Sequence, residues 1–221
     1  MKIDFCEFPE DVLYDFENNV WVKLCDGYVE LGITSVYAFL AGKLKEVRFT
    51  KPEGSSVTRG QSIATIESVK YFGAVRAPLS GTVAELNKRL NVKPKLANDS
   101  PYGEGWFVRL KPTVGDERKQ LSELRDSEDV IRTQIRELRV RCFNAYPDYE
   151  MWEIGVECAA VLVKLSELIE RCKVGDVVHV VSDDPTADIE IVRWSDQTGQ
   201  EVLESRQEGR LLHMIVKKVR E

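Results

Sequence analysis

The chain has 221 residues, 43% hydrophobic and 31% charged, with a formal net charge of −6. That balance belongs to a folded globular protein with room for one large domain or two small ones, and an acidic chain lacks the basic surface that sequence-independent nucleic-acid binding needs. No apolar run approaches the roughly 20 residues of a membrane span, and the acidic, mixed start Met1-Lys2-Ile3-Asp4-Phe5-Cys6-Glu7 is unlike a signal peptide, so a cytoplasmic chain is expected.

From Val20 to Leu110 short β-type runs alternate with glycine and proline. Val20-Trp21-Val22-Lys23-Leu24, Tyr28-Val29-Glu30-Leu31-Gly32-Ile33 and Trp106-Phe107-Val108-Arg109-Leu110 are three of them. Asp26-Gly27 between the first two is a hairpin signal, because these residues tolerate the positive φ of tight turns. A helix is expected over Ser35 to Leu40, with Ser35 as N-cap and Gly42 as stop. Repeated short strands with turn chemistry point to a sandwich or flattened barrel.

The most specific local feature is Glu67-Ser68-Val69-Lys70, followed by Ala77-Pro78-Leu79-Ser80-Gly81. It sets Lys70 between Ser62-Ile63-Ala64-Thr65-Ile66 and Gly81-Thr82-Val83-Ala84-Glu85-Leu86, at the tip of an expected hairpin. A lysine displayed on a held turn suits covalent attachment of a group. It suits a core position or a catalytic base poorly. Taken alone, a turn lysine is ordinary surface charge.

The composition then shifts. Gly115 to Arg141 is rich in Glu, Arg, Asp and Leu, and Leu121, Leu124, Ile131, Ile135 and Leu138 recur at three- and four-residue steps or their sums. This is an amphipathic helical pattern with a break near Asp126-Ser127. It reads first as a connecting helix with a solvated charged face, and second as a partner-binding or dimerisation helix. The expected organisation is a strand-rich domain over 1–113, a helical linker over 114–146 and a second domain over 147–221.

In that second domain Met151-Trp152-Glu153-Ile154 reads as a short strand and Glu157 to Arg171 as a helix with a wide apolar face. Asp176 to Ser182 reads as a buried strand, and a short helix is expected after Pro185. Two alternating runs, Glu201 to Glu204 and Leu211 to Val219, close the chain around a turn at Gln207-Glu208-Gly209. The order β-α-β-α-β-β suits a two-layer sandwich. The fold class expected for the whole is therefore α+β in two domains.

The five cysteines, Cys6, Cys25, Cys142, Cys158 and Cys172, form no CxxC pair and no Cys/His cluster, so free thiols are expected. His179 and His213 have no partner at metal-ligand spacing and read as structural, and no metal site is expected. Cys158 opens the second domain's first helix. Unpaired N–H groups and the positive end of the helix dipole are expected to lower its pKa there, and the thiolate is the reactive form. From placement alone, Cys158 reads first as a small buried helix residue. Asp183-Asp184-Pro185 reads as turn and capping chemistry.

Several of these motifs together resemble the H-protein of the glycine cleavage system. They are Tyr14-Asp15-Phe16-Glu17-Asn18-Asn19-Val20-Trp21-Val22, Val29-Glu30-Leu31-Gly32-Ile33-Thr34, Ala41-Gly42, Glu67-Ser68-Val69-Lys70, Ala77-Pro78-Leu79-Ser80-Gly81 and Asn98-Asp99-Ser100-Pro101-Tyr102-Gly103-Glu104-Gly105-Trp106. The resemblance covers about residues 10 to 125. It implies a lipoyl-type antiparallel β-sandwich (a hammerhead or barrel-sandwich hybrid) carrying lipoate covalently on Lys70, with a lipoate ligase or lipoyl transferase as partner. Where H-proteins have Glu-His-Glu-Trp this chain reads Asn18-Asn19-Val20-Trp21, and Tyr71-Phe72-Gly73-Ala74 after the lysine is bulkier than usual. Those departures resemble the lipoate-binding proteins of heterodisulfide-reductase-like sulfur oxidation.

Residues 148–221 resemble TusA-like sulfur carriers, through Gly155-Val156-Glu157-Cys158, the helix to Gly175, the following strand and Asp183-Asp184-Pro185-Thr186-Ala187. This implies that Cys158 carries a persulfide, although the family's Cys-Pro-x-Pro reads Cys158-Ala159-Ala160-Val161 here. The function implied is a fused carrier that handles sulfur between donor and acceptor enzymes, including a heterodisulfide-reductase-like complex. Neither domain carries a substrate-pocket motif, so a carrier is expected, with sulfurtransferase activity through Cys158 as the enzymatic option. The alternatives are an H-protein carrying aminomethyl groups on lipoyl-Lys70, or an unmodified interaction or regulatory protein.

Overall fold

Residues 1–113 and 116–221 are described in the structure, a computed structural model, and they divide into two units, Met1–Cys142 and Phe143–Glu221. Alternating apolar residues build the first unit from strands. A small hairpin pairs β1 (Lys2–Ile3) with β2 (Cys6–Glu7). Then come β3 (Leu13–Asp15), β4 (Val20–Leu24), β5 (Val29–Ile33), helix α1 (Ser35–Ala41), β6 (Glu46–Phe49), β7 (Ser56–Val57), β8 (Ser62–Glu67), β9 (Phe72–Arg76) and β10 (Gly81–Leu86). Two single-turn helices, α2 (Arg89–Val92) and α3 (Leu96–Asp99), precede β11 (Val108–Pro112).

One sheet runs β3-β4-β5-β11-β10-β7 and the other β6-β8-β9, with every pairing antiparallel. Val22, Leu31 and Ile33 from the larger sheet share one core with Val47, Ile63, Ile66 and Val75 from the smaller. This is the antiparallel sandwich that the strand pattern predicts. The β4–β5 turn holds Gly27 at φ 76°, as Asp26-Gly27 leads one to expect.

Helix α1 differs from expectation at its start. The N-cap is Thr34, not Ser35: Thr34 is extended (φ −70°, ψ 161°) and its Oγ1 accepts the Tyr37 N–H at 3.3 Å. Ser35 is already helical, and its hydroxyl donates to the Glu7 carbonyl at 2.8 Å. Gly42 ends the helix at φ 77°.

The charged stretch after β11 is not one long helix. It forms two 3-10 turns, Asp116–Gln120 and Leu124–Asp126, and then α4 (Glu128–Leu138); the expected start at 114–115 lies outside the described residues. Leu124, Ile131 and Ile135 are buried in a cluster with Phe8, Tyr14, Trp21 and Val36. The apolar stripe of α4 is thus part of the first unit's own core. The same cluster contains a disulfide between Cys6 and Cys142, with Cα atoms 4.9 Å apart. This corrects the expectation of five free thiols: a pairing across 136 residues leaves no local trace in sequence, and Cys25, Cys158 and Cys172 stand outside any disulfide.

The second unit contains β12 (Tyr149–Glu153), α5 (Cys158–Arg171), β13 (Val177–Ser182), α6 (Ala187–Thr198), β14 (Glu201–Glu208) and β15 (Leu211–Lys217), the β-α-β-α-β-β order expected. Its sheet runs β12-β13-β15-β14, with β12 parallel to β13 and the remaining pairs antiparallel. Val161, Leu165 and Ile169 of α5 and Ile191 and Trp194 of α6 pack with Val178, Val180, Met214 and Val216. Both helices therefore cover one sheet face. Helix α6 has 12 residues, longer than the short helix expected, and ends at Gly199 in the left-handed region (φ 68°). On the other face His179 Nε2 and His213 Nδ1 meet at 2.9 Å, so the two histidines are each other's partners. Among the described residues, no helix is long and apolar enough to cross a membrane.

Ile131 is fully buried. Ile131→Ala is expected to destabilise the first unit by about 2–5 kcal/mol, read from urea unfolding of the full chain. A loss near zero would mean that α4 is not part of that core.

Candidate functional site

Lys70 is exposed on the turn Ser68–Tyr71, at the tip of a hairpin. The partner strand is not the one expected. β8 pairs with β9, in the register Glu67↔Phe72 and Ile66↔Gly73, whereas Gly81–Leu86 belongs to the larger sheet. Phe-Gly-Ala-Val-Arg shows little alternation, which hides β9 from a pattern reading. Gly73 is required there, because a Cβ would lie 2.6 Å from the Tyr71 ring and 2.7 Å from Tyr37 Oη.

The turn is bolted to α1. Ser68 Oγ donates to the Ala41 carbonyl at 2.7 Å and accepts the N–H groups of Lys70 and Tyr71 at 3.3 and 3.1 Å. Ser68 N–H donates to the Tyr71 carbonyl at 2.9 Å. Tyr71 Oη and Tyr37 Oη are 3.3 Å apart, and Tyr37 Oη donates to the Ala74 carbonyl at 3.2 Å. Outside this frame Val69 and Phe72 are 80% and 71% exposed on either side of Lys70.

The other quoted motifs seat α1 beneath the tip. Asn98 Nδ2 donates to the carbonyls of Ala38 (2.9 Å) and Gly42 (3.0 Å), and Asn98 Oδ1 accepts the Leu44 N–H at 3.0 Å. Tyr102 Oη accepts the Ser35 N–H at 3.0 Å. Ser80 N–H and Oγ donate to the Glu117 carboxylate at 2.6 and 2.8 Å, which closes the 3-10 turn onto the strand-rich part of the unit. The sequence flags Ser68 and Asn98 as motif residues but not their tasks, since their partners lie 27 and 54 to 60 residues away.

Cys158 opens α5 as expected, but its environment corrects the expected reactivity. The residue is 5% exposed and belongs to the second unit's apolar cluster. Its N–H, the feature that would favour a thiolate, donates instead to Asp184 Oδ2 at 2.8 Å. Asp184 Oδ1 is held by the N–H (2.8 Å) and hydroxyl (2.7 Å) of Thr186. Burial, then the carboxylates of Asp184 and Glu190, push the Cys158 thiol up from its ordinary value rather than down. Hydrogen bonds from the Thr186 hydroxyl, the Thr186 backbone and the Cys158 backbone lower the Asp184 carboxyl below the usual range. Asp183 Oδ1 accepts the Gly155 N–H at 2.7 Å, so the acidic pair acts as a cap for the strand-to-helix corner.

A family model described as glycine cleavage H-protein matches residues 12–134, more than half of the chain. The chain belongs to the glycine cleavage H-protein family. A second model, described as sulfurtransferase TusA, matches residues 154–218, so an H-protein domain and a TusA domain are fused on one chain. The first match lies within Met1–Cys142 and the second within Phe143–Glu221. Glycine cleavage system H protein 5 of Aquifex aeolicus is 37% identical over 147 residues, covering 64% of this chain and 98% of that protein. H protein 2 of the same organism is 41% identical over 128 residues (58% and 78%). The probable glycine cleavage system H protein 2 of Sulfurisphaera tokodaii is 42% identical over 123 residues (54% and 82%). Among solved structures, an H protein from Mycobacterium marinum superposes with a TM-score of 0.50 at 30% identity, over 56% of this chain and 98% of that one.

In the TusA domain, neutralising Asp184 tests what holds the thiol back. Asp184→Asn keeps an acceptor for the Cys158 N–H but removes the charge that opposes a thiolate. Alkylation of Cys158 by iodoacetamide near pH ~8 is expected to quicken severalfold, within the roughly tenfold that one pKa unit allows, as read by peptide mass spectrometry. An unchanged rate would assign the protection to burial alone.

Proposed function

We propose that the chain is a two-site carrier: Lys70 is the attachment point of a lipoyl group, and Cys158 accepts and hands on sulfur as a persulfide. The observation that carries the first assignment is an exposed amine on a turn fixed to α1 from both sides, in a chain of the H-protein family. H-proteins carry lipoate on a lysine. The residues present fit such a group: Val69 and Phe72 stand out to solvent and leave the amine open. Lys70 Nζ attacks the carbonyl of an activated lipoyl donor, the amide C–N bond forms, and the leaving group departs with the electrons of the broken C–O bond while a proton passes to water. The attached group supplies a reversible dithiol on a long arm, which raises its local concentration at a docked partner.

At Cys158 the thiolate attacks the outer sulfur of a donor persulfide. One S–S bond forms, another breaks, the donor leaves as a thiolate, and no net oxidation occurs. Because the thiol is buried and its pKa raised, loading requires a donor enzyme that loosens the Asp183–Asp184 corner on docking. This domain pairing supports sulfur handling, with a lipoate-attaching enzyme, a sulfur donor and a sulfur acceptor such as a heterodisulfide-reductase-like complex as partner classes. The relatives, named as glycine cleavage system H proteins, keep a second reading open, in which lipoyl-Lys70 carries aminomethyl groups for glycine cleavage.

Incubation of the full chain with a lipoate ligase, ATP and lipoate is expected to add the mass of one lipoyl group, and Lys70→Arg is expected to abolish the gain. A gain that survives this substitution would move the attachment elsewhere. With a protein persulfide donor, sulfur is expected on wild type, Cys25→Ser and Cys172→Ser, and not on Cys158→Ser. Loading of the arm by glycine and a glycine decarboxylase, without sulfur uptake at Cys158, would favour the second reading.

A further inference from the structure

We infer that Ser68 is the positioning residue of the carrier: it presents the Lys70 turn in the one arrangement that the lipoate-attaching enzyme accepts. This rests on attachment at Lys70. Ser68 is 9% exposed although its neighbours Val69 and Lys70 face solvent. Its hydroxyl does two things at once. It closes the turn by accepting the Lys70 and Tyr71 N–H groups, and it ties that turn to the framework through the Ala41 carbonyl. The Tyr71–Tyr37–Ala74 chain braces the opposite side, and Tyr37 is also a residue of α1. The backbone of Lys70 is therefore fixed relative to α1, and its amine moves only through its own side-chain torsions.

An enzyme that encloses Nζ must close over this turn. A turn already in the accepted arrangement spares the enzyme the cost of ordering it. Without the Ser68 hydroxyl the amine stays just as exposed, but the turn samples other arrangements, and only the competent fraction binds. The loss then falls on KM for the carrier and not on kcat.

The test compares wild type with Ser68→Ala, Ser68→Thr and Ile131→Ala, using a lipoate ligase with ATP and lipoate and the full chain as the varied substrate. Ser68→Ala is expected to raise KM by ~10-fold with kcat held, the kind of loss that small misplacements cause. Ser68→Thr, which keeps the hydroxyl, is expected to restore most of it. Acetylation of Lys70 by a small succinimidyl ester is expected to be the same in all four, since the amine remains exposed. Ile131→Ala, destabilised in a separate cluster that reaches α1 at Val36 and not at Ala41, is expected to be lipoylated like wild type. Equal KM for Ser68→Ala and wild type would overturn the inference, as would an equal loss in Ile131→Ala, which would mark the effect as one of stability. Wild type that takes no lipoyl group at Lys70 fails the attachment reading itself, a result distinct from either.

Discussion

The hydrogen bond from Ser68 Oγ to the Ala41 carbonyl joins the exposed end of a hairpin to the end of a buried helix. Helix C-termini leave carbonyls without intrahelical partners. Here two side chains from distant parts of the chain take them: Asn98 bonds Ala38 and Gly42, and Ser68 bonds Ala41. One such bond contributes about 1 kcal/mol net, but leaving a buried acceptor unpaired costs about 1–3 kcal/mol. The penalty for disorder at the tip is thus felt inside the sandwich. A displayed lysine becomes a defined feature of the surface because the framework beneath it has one arrangement.

The two domains handle their reactive groups in opposite ways. In the H-protein domain the amine is outermost, and the apolar side chains beside it are exposed with it. In the TusA domain the thiol belongs to the apolar cluster, and Asp184 takes the helix N–H that would have steadied a thiolate. Pro-free Cys158-Ala159-Ala160-Val161 therefore begins a helix whose first donor is already engaged. The amine is open to solvent, whereas the thiol is covered by its own domain.

Much of this architecture is legible in the chain because it is local. Period-two runs give β4, β5 and β8, Gly42 ends α1 where it should, and the 3.6-period face of α5 is plain. The order of the second domain follows from those signals alone. Lys70 stands out because turn chemistry and motif coincide around it. What escapes is set by distance. β9 hides because Gly73 and an outward Phe72 break the alternation. The Cys6–Cys142 link and the His179–His213 contact join residues with no patterned spacing. The direction of the Cys158 pKa is misjudged from helix position alone, because burial, and after it the Asp184 carboxylate 26 residues further on, work against a thiolate. α4 reads as a connector since nothing in its sequence says which surface its stripe will meet.

The Cys6–Cys142 bridge has a bearing on how the molecule is handled. A ring of this size restricts the unfolded chain strongly; a loop of 100 or more residues corresponds to nearly 5 kcal/mol in the chain-entropy account. Cycling a lipoyl dithiol calls for reductants, which attack any disulfide they can reach. Both sulfurs of the bridge belong to residues at most 1% exposed. Small thiols would have to wait for the sandwich to open before touching them, so burial alone can keep this staple closed where reductants are present.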